Sequence, residues 1–151
     1  MRHQVPASVG QLARMRSAER DEVFRASPPG PVPTGVADGL ALLPLGPLLT
    51  PVAAQLIRLL AWRGKVFDDD GRELGNRITP FGLKAIRAEV YPGPSRLDQG
   101  DCIVLDYSRT SLVARWVRDE IREVAPRTSL GLVFVRGRKL LHFTLAFRQP
   151  T

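Results

Sequence analysis

Seven residues have types and settings that suit chemistry: Arg87, Glu89, Asp106, Tyr107, Arg118, Glu120 and His142. Arg87 or Arg118 would meet the acidic head of an otherwise apolar molecule. His142, or Asp106 with Tyr107, would move protons on a ligand held in the same place. Each also has a plainer use: Arg87 and Glu89 as the solvated face of a strand, Arg118 to Glu123 as surface ion pairs, and His142 as a histidine bonded to a neighbouring strand. There is no nucleophile elbow, metal-ligand cluster or phosphate loop, so catalytic residues are not assigned and neither cofactor nor metal is implied. The first expectation is a binding module for a small apolar or lipid-like molecule. The second is an acid/base enzyme of isomerase or cyclase type using the same cavity, and the third a membrane-peripheral structural protein.

The elements that must position these residues are strands. Cys102 to Tyr107 and Leu130 to Val135 are apolar at nearly every residue, and Leu140 to Phe147 sets Leu141, Phe143, Leu145 and Phe147 against Leu140, His142, Thr144 and Ala146. Between the last two runs lies Arg136-Gly137-Arg138-Lys139, where Gly137 suits the first central position of a two-residue II′ hairpin. Ile86, Ala88 and Val90 alternate with Arg87, Glu89 and Tyr91, and Trp62 to Phe67 turns through Asp68-Asp69-Asp70-Gly71 into Leu74 to Thr79. The triple Asp is a hairpin turn, because a calcium loop needs spaced ligands between two helices. Val117, Ile121 and Val124 have helical spacing, so Arg118 to Val124 is ambiguous; it is taken as a strand after a helical turn at 110 to 117. Seven or eight such strands predict a mainly β fold, a small closed antiparallel β-barrel with N-terminal helices and one covering helix. In a closed barrel one face of the Ile86 to Tyr91 strand looks in and the other out; if Arg87 and Glu89 look in, they are buried and must pair, with Glu120, Arg118 or each other's neighbours.

Ser8 and Ser17 are N-cap residues for two short helices or one bent one, and the proline-rich stretch from Ser27 to Gly35 is an extended connection on the barrel surface. Gly39 to Ile57 carries no charge and approaches the length of a membrane span, but Pro44, Pro47 and Pro51 would break the backbone ladder that lipid demands. A loop and then a helix capped at Thr50, burying Val52, Leu56, Leu59 and Leu60, accounts for it better. It would cover the open end of the barrel or touch a membrane peripherally through Gly39 to Leu60. The expected division is therefore a helical and Pro-rich extension over 1–60 and a barrel over 61–148.

Composition sets the outer bounds. At 151 residues the chain suits one domain with a real core. A single Cys102 inside an apolar run fits a reducing, cytoplasmic setting. Twenty-two basic against fifteen acidic residues, a formal +7, makes anionic partners worth weighing. The charges are interleaved, and no recognised module or stacking signature accompanies them, which argues against nucleic acid. Nothing in the sequence sets the oligomeric state.

Trp62-Arg63-Gly64-Lys65-Val66-Phe67, Ala85 to Ser95, Asp106-Tyr107-Ser108 and Arg118 to Pro126, with Gly30-Pro31-Val32-Pro33-Thr34-Gly35, resemble an uncharacterised bacterial and fungal family over most of residues 24 to 147. Its layout is similar to lipocalin-like (calycin) barrels and to the GXWXG/DUF4334 proteins, whose strands open on a Trp-Gly-Lys-Phe-like run. That resemblance implies a fold and no mechanism. Where the family has Pro-Gly-Leu-Tyr-Leu-Gly this chain has Pro126-Arg127-Thr128-Ser129-Leu130-Gly131, so any ligand contact of that tyrosine is lost here.

Overall fold

A computed structural model describes residues 8–42, 62–78, 87–110 and 115–149. Two short helices, α1 (Val9–Arg14) and α2 (Ser17–Ala26), precede eight strands: β1 (Gly35–Leu42), β2 (Trp62–Phe67), β3 (Glu73–Ile78), β4 (Arg87–Pro94), β5 (Asp101–Asp106), β6 (Val117–Ala125), β7 (Thr128–Val135) and β8 (Arg138–Phe147). Each strand pairs antiparallel with the next, and β8 returns to β1, so the sheet closes. Closure removes the free edges that would otherwise offer unpaired backbone groups to another chain. Among the described residues no helix is long and apolar enough to cross a membrane.

The two-residue period of the strands sorts side chains into two cores. Phe67, Leu74, Val90, Ile103, Leu105, Ile121, Phe143 and Leu145 meet inside the barrel. Cys102, Val104, Leu130, Leu132 and Phe134 face outward and are covered by Leu12 of α1 and Phe24 of α2. Strands buried on both faces read as continuous apolar runs, which is why Cys102 to Leu105 and Leu130 to Leu132 show no alternation. Gly131 faces inward, and a Cβ there would fall 2.1 Å from Phe143 Cζ; the missing side chain is the space in which that ring lies.

Several expectations need correction. Gly35–Leu42 belongs to the barrel and not to an N-terminal extension: β1 pairs with both β2 and β8. Its glycines and alanines carry little β propensity, so pairing on both edges makes this strand. Ser8 caps α1 in a reciprocal box with Gln11, but α2 begins at Ser17 itself, with Arg16 at the cap position and no side-chain bond there. The β7–β8 turn is Arg136-Gly137, with φ of 53° and 81°, so the hairpin is type I′ and Gly137 takes its second central position. The pattern misled because Leu140 is an extra residue in β8, between Lys139 opposite Phe134 and Leu141 opposite Val133. The ambiguous Arg118 to Val124 lies within strand β6. The helix expected after Thr50, Ile86 and residues 111–114 lie outside the described residues.

Because the strands alternate in direction, the connections 43–61, 79–86 and 107–116 and the Arg136-Gly137 turn emerge at one end of the barrel. The opposite end is closed by the proline-rich segment: Pro28 O accepts a hydrogen bond from Glu123 N at 3.0 Å, and Val32 packs against the interior core.

Candidate functional site

Of the seven residues singled out by sequence, the structure turns six outward. Arg87 lies half-exposed on β4, its guanidinium 3.0 Å from Asp68 and 3.1 Å from Glu73, and Glu89 faces Arg109 at 3.7 Å. Of the two readings of this face the solvated one holds, and inward pairing with Arg118 and Glu120 does not: Ala88 and Val90 take the inner positions. Asp106 accepts hydrogen bonds from Tyr91 Oη at 2.8 Å and Ser108 N at 2.9 Å. Burial works against its charge, but the Ser108 and Tyr91 bonds and nearby Arg118 bring its carboxyl below the usual range. Glu120 is fully buried on the outer face, where Ser95 Oγ (2.6 Å), Arg96 N (2.9 Å) and Arg118 Nε (3.0 Å) all donate to it, which folds the 95–100 loop back over the barrel wall. His142 lies under α2 with Nε2 2.8 Å from Asp21 Oδ1, and Lys139 bonds the other oxygen. Burial pulls its pKa down, against the Asp21 bond and charge and with the help of Lys139 and Arg20. His142 is thus a latch between β8 and α2 and does not reach the barrel interior.

Tyr107 alone points inward, and there it meets two residues that sequence reasoning passed over. Lys65 Nζ donates to Tyr107 Oη at 2.6 Å and to Asp119 Oδ2 at 3.0 Å, and Tyr107 Oη donates to the same oxygen at 3.2 Å. Lys65, Tyr107 and Asp119 are 2%, 2% and 4% exposed. The ammonium also lies 5.3 Å from the Tyr107 ring centre and 5.4 Å from that of Phe143, so aromatic faces replace part of its hydration. Asp119 Oδ1 is buried without a hydrogen-bond partner among the described residues. A buried carboxylate oxygen left unpaired is costly and calls for an explanation at that site.

Local sequence places each member. Gly64 sits at a bulge in β2 with φ of 138°, and a Cβ there would fall 2.0 Å from Ala37 O; the bulge sets Lys65 and Phe67 on the inner face. Asp119 shares a face with Val117 and Ile121 on β6, two residues into the strand, and Tyr107 follows the last residue of β5. Tyr107 and Asp119 therefore occupy the half of the interior nearest the long connections. A lysine in phase with Phe67 and an aspartate in phase with Ile121 were the available signals. The bulge hid the first, and the helical spacing of Val117, Ile121 and Val124 hid the second.

Burial governs the electrostatics of the trio. It pulls Lys65 below its ordinary value despite the charge and hydrogen bond of Asp119, and it pushes Asp119 up despite Lys65 and Tyr107. Desolvation thus works against both charges at once, the condition under which a proton passes easily between neighbours. Cys102 is outside this site: on the outer face, burial and then Glu120 push its thiol up to about 12, so it is no nucleophile.

A cleft of about 250 Å³ opens elsewhere, at the closed end, between Pro29 to Thr34 and Ile121, Ser129 and Phe147. Its charged groups, Glu123, Arg127 and Arg148, are half-buried or exposed, and Ser129 is the single buried polar residue among those that line it, whereas three converge at Lys65. Chemistry, not volume, therefore selects the interior trio.

Comparison with known proteins bears on the fold. The chain is similar to a protein from Thermomonospora curvata of known crystal structure, with a TM-score of 0.63, 18% identity and 89% of each chain covered. At that identity the likeness shows the barrel and no activity. No family model matches the chain, and no curated protein matches it.

Proposed function

We propose that the protein binds a small, mostly apolar or lipid-like molecule in its barrel, with one polar end held by Lys65, Tyr107 and Asp119. The observation that carries this reading is Asp119 Oδ1, buried without a hydrogen-bond partner among the described residues, in a charged trio set against the apolar side chains of Phe67, Ile121 and Phe143. Ionised, Asp119 accepts from a hydroxyl or amide N–H; protonated, it donates to a carbonyl. A hydroxyl, amide or carbonyl end therefore suits the site better than the carboxylate expected from Arg87 or Arg118, which lie outside. The lipocalin-like layout supports the reading by analogy, since eight-stranded barrels are wide enough for one small ligand. The inert, buried Cys102 fits a cytoplasmic protein.

Native mass spectrometry of the full-length protein as purified tests this. The expected result is an additional small mass that dissociates on denaturation and is missing from the Lys65→Met/Asp119→Leu double variant. An empty barrel, or equal retention by the folded variant, would overturn it. The opposing shifts of Lys65 and Asp119 favour a second reading, in which Asp119 takes a proton from carbon next to a carbonyl while Tyr107 and Lys65 hold the developing oxyanion. A retained molecule that gains deuterium from solvent in the native protein, and not in Asp119→Asn, would select that reading.

A further inference from the structure

Trp116 is the most exposed large hydrophobic side chain among the described residues, at 48%. It stands in the turn before β6, and its carbonyl accepts a hydrogen bond from Arg136 N at 3.0 Å, which ties it to the β7–β8 turn. The guanidinium carbons of Arg115 and Arg136 lie 4.2 Å and 4.6 Å from its ring centre. Arg138 is exposed on the far side of Gly137, and Arg96 reaches the same turn from the 95–100 loop, its Nη1 3.6 Å from where a Gly137 Cβ would lie. None of these four arginines has a carboxylate partner among the described residues, whereas Arg87, Arg118, Arg122 and Arg148 all do.

We propose that this end of the barrel docks on an anionic phospholipid surface. A half-exposed indole and unneutralised guanidiniums at the same level are what a headgroup layer receives: the ring settles at the interface, and each guanidinium offers a fork to phosphate. Stacking on Trp116 holds Arg115 and Arg136 in place without consuming their charge. Nucleic acid would want a groove or successive stacking platforms, and here one ring stands at a tight turn. Composition points the same way. The chain that leaves this end after Leu42 and returns at Trp62 has Arg58 as its one charged residue. The proposal is independent of the interior site.

The test is flotation of the full-length protein with phosphatidylcholine vesicles, with and without phosphatidylglycerol, at low and high salt. Binding is expected only to the anionic vesicles, with release by salt. Arg136→Gln and Arg138→Gln should each weaken it about fivefold, the equivalent of roughly 1 kcal/mol per basic residue near a charged membrane. Tryptophan fluorescence should shift to the blue on binding, and Trp116→Phe should abolish the shift. Should a turn variant not fold, Arg96→Gln/Arg138→Gln, which leaves the Trp116 contacts in place, carries the test. Equal binding to neutral vesicles, undiminished binding by the folded arginine variants, or capture of a single-stranded RNA oligonucleotide with no vesicle binding would each overturn the proposal.

Discussion

Arg87 illustrates how a charged residue in a strand divides into two cases with very different energies. Between Asp68 and Glu73 it is 42% exposed, so water screens both contacts. Exposed pairs of this kind contribute under about 1 kcal/mol. Arg87→Ala and Glu89→Ala should each lower the stability seen in denaturant melts by less than that, and a loss of several kcal/mol would contradict their outward placement. The alternation at Ile86 to Tyr91 was legible in the sequence, but its direction was not, because a strand with charges on one face reads alike in a barrel whichever way that face points. Direction came from partners. Asp68, Glu73 and Arg109 supply counter-charge outside, while Ala88 and Val90 find Phe67 and Ile103 within the same interior core. Tyr107 was legible as a polar group among apolar ones, but Lys65 and Asp119 were not, because a lone lysine beside a glycine looks like a hairpin residue until the bulge fixes its phase.

The outer core makes the helices part of the barrel's stability. α2 is held by polar contacts as well as by Phe24. Arg122 forks onto Asp98 at 2.7 Å and donates to Phe24 O at 2.9 Å, Arg20 donates to Leu12 O at 2.9 Å, and Asp21 meets His142 and Lys139. His142 gives this latch a pH dependence. Its folded pKa lies below the ordinary 6.5, so on acidification the unfolded chain takes up the proton before the folded chain does. Stability should therefore be flat above about pH 6.5 on this account and fall as the pH drops below it. Asp98 and Asp106 are both held below 3.8, so their own losses come at lower pH and do not overlap. Urea melts between pH 7.5 and 5 should show the slope in the native protein and a reduced slope in His142→Gln; identical slopes would remove His142 from the account. At this scale the sequence showed most strands and the acidic Asp68 to Gly71 turn, since two-residue periods and turn residues are local. It missed β1, which is a strand by virtue of two neighbours distant in sequence, and it misplaced the last hairpin by one residue because a bulge shifts the period without leaving a compositional mark.

For the molecule as a whole, the question is why a closed apolar barrel keeps a lysine and an aspartate inside. Each charge loses its hydration, and mutual attraction with good geometry only about compensates that loss. The pair is not fully compensated here, since Asp119 Oδ1 has no partner among the described residues. Breaking it from one side, by Lys65→Met or Asp119→Leu, should cost about 3–5 kcal/mol, because the remaining charge is buried alone. Replacing both together should be neutral or stabilise the fold by about 1–4 kcal/mol, as for other buried pairs exchanged for apolar residues of similar volume. A barrel that becomes more stable without the pair, and at the same time loses its retained molecule, would show that Lys65 and Asp119 are kept for what they hold and not for the fold. Chemical melts of the two single variants and the double variant form the cycle that decides this. If the double variant is as unstable as the worse single one, the pair is a structural element of the barrel, and the interior loses its claim to be a binding site.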